Sequence, residues 1–366
     1  MKLFKDIFVG FDGFKLIFVL LLFLNCQGQQ HSVAIEKIEE PRTYVANFAD
    51  SPIEIDGVGN EKVWQNAKTT ASFIDIEGVK KPKYDTTLKM LWDKDNLYFL
   101  AEMEEPHVWG TLKQRDTIIF HNNDFEIFID PDGDSHNYYE LEFNVLNTVW
   151  DLFLTKPYRD DPIVLNDWDA RGLKSAVHID GTLNNANDTD KKWTLEVAIP
   201  LNVFKASYFE NTDLSNTFWR MNFSRVHWDF DLKDGRYTRK LKSDGELALE
   251  YNWVWSPQGV IAMHQPETWG YVFFASNDVE SKDFTIPKDE KIKWKLFELY
   301  RAQKAYFEKN DQWSKSIAKL KVNTIVDKKD LNPLLENHST GWNIIVKSPY
   351  TNKTLIIRED GKFTSK

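Results

Sequence analysis

Cysteine is nearly absent from this sequence: Cys26 is the only one in 366 residues. An intramolecular disulfide, a cysteine-built zinc site and a dithiol redox pair are therefore excluded. Long apolar runs are scarce as well. The unbroken stretch from Leu16 to Leu24 has nine residues, against the roughly 20 that a helix needs to cross a bilayer core. Basic charge is in deficit, with a formal net charge of -10. An acidic surface repels phosphate backbones, so nucleic acid is excluded as a partner class. There is no G-x-S-x-G elbow, H-E-x-x-H helix or phosphate-binding glycine loop. The histidines His121, His136, His178, His227 and His264 are scattered, and none pairs at the i, i+4 spacing of a helical zinc site. Met263-His264 offers haem ligands, but C-x-x-C-H is absent and no haem is expected.

What the chain does have is apolar mass and aromatic rings. Hydrophobic residues make up 42% and aromatics 14%, with 14 tryptophans. That is enough for a packed core with rings left over for surface platforms.

The Leu16–Leu24 run follows Lys15 and ends at Leu24-Asn25-Cys26. A short apolar run behind a basic residue reads as a signal-peptide core. Residues 1–25 are read as a signal peptide, with residues 26–43 as a polar tether. The position of Cys26 resembles the lipidation site of bacterial lipoproteins. This implies an exported protein, lipid-anchored at the bacterial cell envelope on the outer membrane or cell surface. Cleavage after Gly28 is the alternative, and it gives a secreted or periplasmic protein.

From about Tyr44 to Ser276 the apolar residues alternate. Leu88, Met90 and Trp92 precede the turn Asp93–Asn96, and Leu97, Phe99, Ala101 and Met103 resume the pattern. Phe125, Ile127 and Ile129 lead to the turn Pro131–Asp134, followed by Tyr139, Leu141, Phe143 and Val145. Trp193, Leu195, Val197 and Ile199 form a further set, then Met221 and Phe223. Repeated period-2 runs between turns predict a mainly β protein, an antiparallel β-sandwich spanning residues 44–276. Residues 277–366 read as a small C-terminal α+β extension. A helix should begin at Pro287-Lys288-Asp289 and stop near Asn310, with a shorter one over Trp313 to Leu320. A hairpin over Trp342–Val346 and Thr354–Ile357 should follow. The helix stripe of Ile292, Leu296, Leu299 and Tyr306 either docks on the sandwich or meets a partner.

If the apolar sets face the core, the interleaved residues share the other face. These are Glu126, Glu140, Glu142, Asn144, Glu196, Arg220, Asn222 and Ser224. Such groups match sugar hydroxyls, or they form an ordinary solvated sheet face. Glu126 and Glu142, on neighbouring strands, also meet the spacing of about 5–9 Å that a glycoside hydrolase needs.

The segment Asn123-Asp124-Phe125-Glu126-Ile127-Phe128-Ile129-Asp130 resembles the central strand of carbohydrate-binding module family 9 and its relatives. Ile55-Asp56-Gly57, Trp64–Ala67, Leu91-Trp92-Asp93, Trp193–Pro200, Trp219–Phe223 and Trp269–Phe273 resemble its other pieces, in order, over residues 44–276. The resemblance implies a β-sandwich that clasps oligo- or polysaccharide without catalysis. It implies that Glu126 and Asn222 contact the ligand. Asn144 stands where sugar binders of the family carry an arginine, and Phe120 stands at one of two stacking-tryptophan places. Trp109 and Trp255, from nearby loops, are the platform candidates, unless either is core. Arg220 joins the ligand set by alternation alone. Asp130, Asp132 and Asp134 offer hard oxygen donors at a tight turn. Relatives often hold structural calcium, so the turn is either a calcium site or a plain acidic turn. The alternatives to glycan binding are a carbohydrate-active hydrolase using paired carboxylates and a ligand-free structural or interaction module.

Overall fold

A computed structural model describes residues 38–207, 213–276 and 283–366. The expected signal peptide, the lipidation site Cys26 and most of the tether lie outside the described residues. The chain is mainly β. Alternation does what the sequence predicts in the first hairpin. Strands Thr86–Trp92 and Asn96–Glu104 pair antiparallel, with Trp92 opposite Leu97. Asp93 makes the turn by accepting the Asp95 and Asn96 amides at 2.7 Å each, the usual Asx device.

Thirteen strands join into one curled sheet. Its first half runs Val164–Leu165, Val149–Leu154, Tyr138–Asn144, Asp124–Asp130, Phe218–His227 and Gly270–Phe274. The second half runs Thr86–Trp92, Asn96–Glu104, Lys192–Pro200 and Lys174–Asp180. Strand Thr43–Phe48 joins them, and there the antiparallel expectation fails. Thr43–Ala46 pair parallel with Tyr271–Phe274, and Asn47 and Phe48 pair parallel with Leu91 and Trp92. Parallel pairing needs a long crossover, which the chain after residue 48 provides. Because this strand changes neighbours midway, both halves turn their apolar sets to one core. Phe99 meets Phe223 at 5.4 Å between ring centroids and Trp92 meets Phe274 at 5.8 Å.

The outer face of the first half is not a solvated face. Every residue of Asp124–Asp130 and of Tyr138–Asn144 is buried. Loops around Tyr158 and residues 255–269 lie over it. So does the C-terminal segment, in which helix Lys288–Asn310 buries Ile292, Leu296 and Leu299 against Trp342, Ile344 and Leu355. That helix carries Asp289 and Glu290 in its first turn and ends at Asp311 with φ 52°, as the capping signals imply. The second helix does not form: only a 3-10 turn, Ile317–Leu320, appears. Gln303 takes both the Ser314 amide and the Ser314 carbonyl at 3.0 Å, so the backbone groups that would start a helix are already used. The hairpin belongs to a four-stranded sheet, Leu334–His338, Gly341–Lys347, Thr354–Arg358 and Phe363–Ser365.

Candidate functional site

Residues that share a row across the sheet define the site. Ser224, Glu126, Glu142 and Trp150 sit opposite one another on four adjacent strands. The next row is Asn222, Phe128, Glu140 and Leu152. Side chains in one row on one face lie about 4.5–5.5 Å apart at Cβ, so carboxylates placed this way must converge. They floor a cleft of about 340 Å³. Glu126, Glu140 and Glu142 point up from the strands, and Phe120, Trp150, Tyr158 and His264 form the walls. Glu250 and Asn252 stand at the rim. Tyr158 is 52% exposed, and its ring meets His264 edge-on at 4.5 Å. The short turn Ile119–His121 is tied to the floor, because the Phe120 amide donates to Glu142 Oε2 at 2.9 Å.

The floor is electrostatically crowded. Burial, then the nearby Glu250, pushes Glu126 up to about 7. Burial, then Glu126, pushes Glu140 well above the carboxylate range. Burial, then Asp124, Glu126 and Glu140, does the same to Glu142. Burial holds His264 neutral, down to about 3, and its Nδ1 bonds the Tyr138 hydroxyl at 3.0 Å. A cleft of this kind presents carboxyl groups that both donate and accept, beside aromatic faces. A larger groove of about 840 Å³ runs past Arg115 and Asp169. These two are ion-paired to each other at 2.6 Å, and Asp116 and Asp151 pair with the same guanidinium, so the carboxylates there are countercharged.

Of the residues expected from the sequence, Glu126, Glu140, Glu142 and Phe120 lie on the cleft. The others do not face it. Asn222 is fully buried, donating to Ser256 O at 2.9 Å and Gln258 Oε1 at 3.0 Å and accepting from Ser256 N at 3.0 Å. Asn144 holds its own turn, with Nδ2 on Leu112 O at 2.8 Å and Oδ1 taking the Leu146 and Thr148 amides. Arg220 turns toward the C-terminal segment, lying 4.0 Å over the Tyr271 ring and donating to the Trp269 and Glu267 carbonyls. Trp255 is 2% exposed and lies over Gly270, where a side chain would collide with its ring. Trp109 is 3% exposed and stacks on Tyr237 at 6.0 Å. A platform needs a free face, and neither ring has one. Glu196 is a structural knot, accepting Trp64 Nε1 at 2.9 Å and the Asp56 and Gly57 amides.

Of the walls, Trp150, Tyr158 and His264 were missed. Trp150 follows directly from alternation on the Val149–Leu154 strand, directly opposite Glu142. Tyr158 and His264 come from loops and leave no periodic signal. Asp130, Asp132 and Asp134 do converge, with oxygens within 4.8 Å. However, Lys362 lies 3.0 Å from Asp134, and Lys293 donates to the Gly133 carbonyl. Asp130 also accepts the Gly133 and Ser135 amides at 2.9 Å. A divalent ion would have to displace this countercharge, so the turn fits one poorly.

Comparison with known proteins adds the following. A proposed carbohydrate-binding protein from Bacteroides uniformis has a similar structure, with TM-score 0.48 and 13% identity over 64% of this chain and 100% of that one. A family 9 carbohydrate-binding module from Caldicellulosiruptor kristjanssonii, solved with cellotriose, has TM-score 0.41 and 15% identity over 67% of this chain and 98% of that one. The same organism's family 9 module solved with glucose has TM-score 0.40 and 16% identity over 67% and 100%. No curated protein matches the chain. The family described as carbohydrate family 9 binding domain-like matches residues 55–244, more than half of the 366 residues, and this chain belongs to that family.

Proposed function

We propose that this protein binds carbohydrate without turning it over, in the cleft floored by Glu126, Glu140 and Glu142. We read the two halves of its curled sheet as the layers of a β-sandwich. The observation that carries the reading is the convergence of three buried carboxyl groups beneath Trp150 and Tyr158 in one cleft. Sugars present hydroxyl edges and apolar C–H faces, and such a site serves both. The carboxyl groups are all shifted in the same direction. An acid–base pair for hydrolysis needs two groups pushed apart, so their common shift favours binding. At about 340 Å³ the cleft is near the small end of ligand sites, which suits the end of a glycan chain. Relatives solved with glucose and cellotriose make gluco-oligosaccharides the first class to try.

A glycan array with reducing-end detection tests this. Specific binding without product release is expected, at a dissociation constant between about millimolar and micromolar. Released product would favour the hydrolase, and silence across the array would leave an interaction module. The placement at the cell envelope rests on Cys26 behind the Leu16–Leu24 run. Palmitate labelling of the expressed chain, lost in Cys26→Ala, is expected, and a wild type that stays unlabelled would refute it.

A further inference from the structure

Behind the cleft floor, Asp124 carries a carboxylate that is wholly buried, and neither oxygen has a hydrogen-bond partner. The Val226 amide leans toward it and offsets its burial a little, without hydrogen-bond geometry. One of the Asp124 oxygens, one of Glu126 and one of Glu142 all lie within 4.8 Å of one another. The Ser224 hydroxyl bears on the same point: it is wholly buried, belongs to the residue directly opposite Glu126, and leans toward that carboxyl and offsets its burial, without hydrogen-bond geometry. Among the described residues no lysine or arginine pairs with Asp124, Glu126, Glu140 or Glu142. Among the described residues the one basic group in ion-pair range of them is His264, 3.8 Å from Glu140 and held neutral by burial.

Buried carboxylates without countercharge are costly, and the contrast with the Asp130 turn is direct. There the protein brings up two lysines; here it brings none. We infer that Asp124, Glu126 and Glu142, with the Ser224 hydroxyl, form a site for a hard divalent cation, calcium being the ion that fits. Hard oxygen donors of this charge suit calcium or magnesium. Calcium takes about six to eight oxygens in flexible geometry. Four protein groups would leave positions open toward the cleft. Nothing in the sequence reading placed a metal here, and the inference does not depend on which ligand the cleft takes.

The test is calcium titrated alone into the chelator-treated full chain, followed by calorimetry. A saturable heat is expected in the wild type and in Asp132→Asn. Binding weaker by about tenfold or more is expected in Asp124→Asn and Glu142→Gln, since affinity follows ligand charge count. Should Asp124→Asn fail to fold, Glu142→Gln carries the comparison, because glutamine keeps an acceptor for the Phe120 amide. Terbium in place of calcium should luminesce on tryptophan excitation and lose most of that signal in Trp150→Phe. No heat in the wild type overturns the site, as does heat unchanged in Glu142→Gln or lost only in Asp132→Asn. No sugar enters this titration, so its failure would leave the glycan reading standing, and a silent array would leave the cation site standing.

Discussion

Glu126 and Asn222 stand on the same face of adjacent strands, two residues out of register, yet they face different fates. Glu126 opens onto the cleft, whereas Asn222 is covered by the Ser256–Gln258 loop and spends its amide on it. The expected consequence is a clean separation. Glu126→Gln removes a charged acceptor worth about 1.5–3 kcal/mol, so glycan affinity should fall about tenfold or more with unfolding in urea little changed. Trp150→Ala should do likewise by removing the stacking wall. Asn222→Ala should lower stability by about 1–3 kcal/mol, because it strands buried groups of the loop. Calorimetry on a glycan from the array, beside urea unfolding, measures both. The assignment fails if Asn222→Ala costs affinity alone, or if Glu126→Gln leaves affinity intact. Alternation in the sequence was enough to put both residues on one face. It could not show which of them a loop would cover, since that depends on packing between residues more than thirty positions apart.

At the level of elements, strands and the long helix were legible because each is a local pattern. The apolar sets Phe125–Ile127–Ile129 and Tyr139–Leu141–Phe143 do enter the core, and the helix runs from Lys288 to Asn310 between its acidic start and its left-handed Asp311. Three things were not legible, each for a stated reason. Strand Thr43–Phe48 divides its hydrogen bonds between Tyr271–Phe274 and Leu91–Trp92, and pairing over such separations leaves no trace in local periodicity. The outer face of Asp124–Asp130 looked solvated because its residues are polar, but polarity does not reveal whether another segment lies on top. The cleft walls Tyr158 and His264 sit on loops, where position comes from the contacts of their neighbours: Arg159 and Asp160 to the helix, Tyr138 to His264. Family resemblance pointed to Glu126 and Phe120, which lie on the strand row and the turn that floor and wall the cleft.

On the scale of the whole molecule, three segments far apart in sequence meet at one buried carboxylate. Glu267, in the turn Pro266–Thr268, takes Arg159 at 3.1 Å and, from the long helix, Arg301 at 2.7 Å. Next to it Tyr300, on the same helix, donates to both oxygens of Asp160 at 2.6 and 2.7 Å. The C-terminal segment thus fixes residues 159 and 160, and with them the loop that carries Tyr158. Burial alone would raise Glu267, but Arg159 and Arg301 outweigh it and hold it below the ordinary carboxylate value. The sign of the pH effect follows. A group whose folded value is depressed adds stability that is fully present above its unfolded value, about 4.3 for glutamate. That stability is lost as pH falls through the folded value. Glu267→Gln leaves the buried Arg301 guanidinium without its charge partner and Arg159 with Asp160 alone, so it should cost about 3–5 kcal/mol at pH 7. The gap between mutant and wild type should then shrink as the pH falls below about 4, because the wild-type carboxylate protonates too. Urea unfolding of both proteins at pH 7 and in acid measures this, and the wild-type-minus-mutant difference cancels the other acids of the chain. A gap that stays constant with pH would mean that Glu267 holds the helix by shape and not by charge. The helix would then be docked by its apolar stripe alone, and glycan affinity should survive the mutation unchanged.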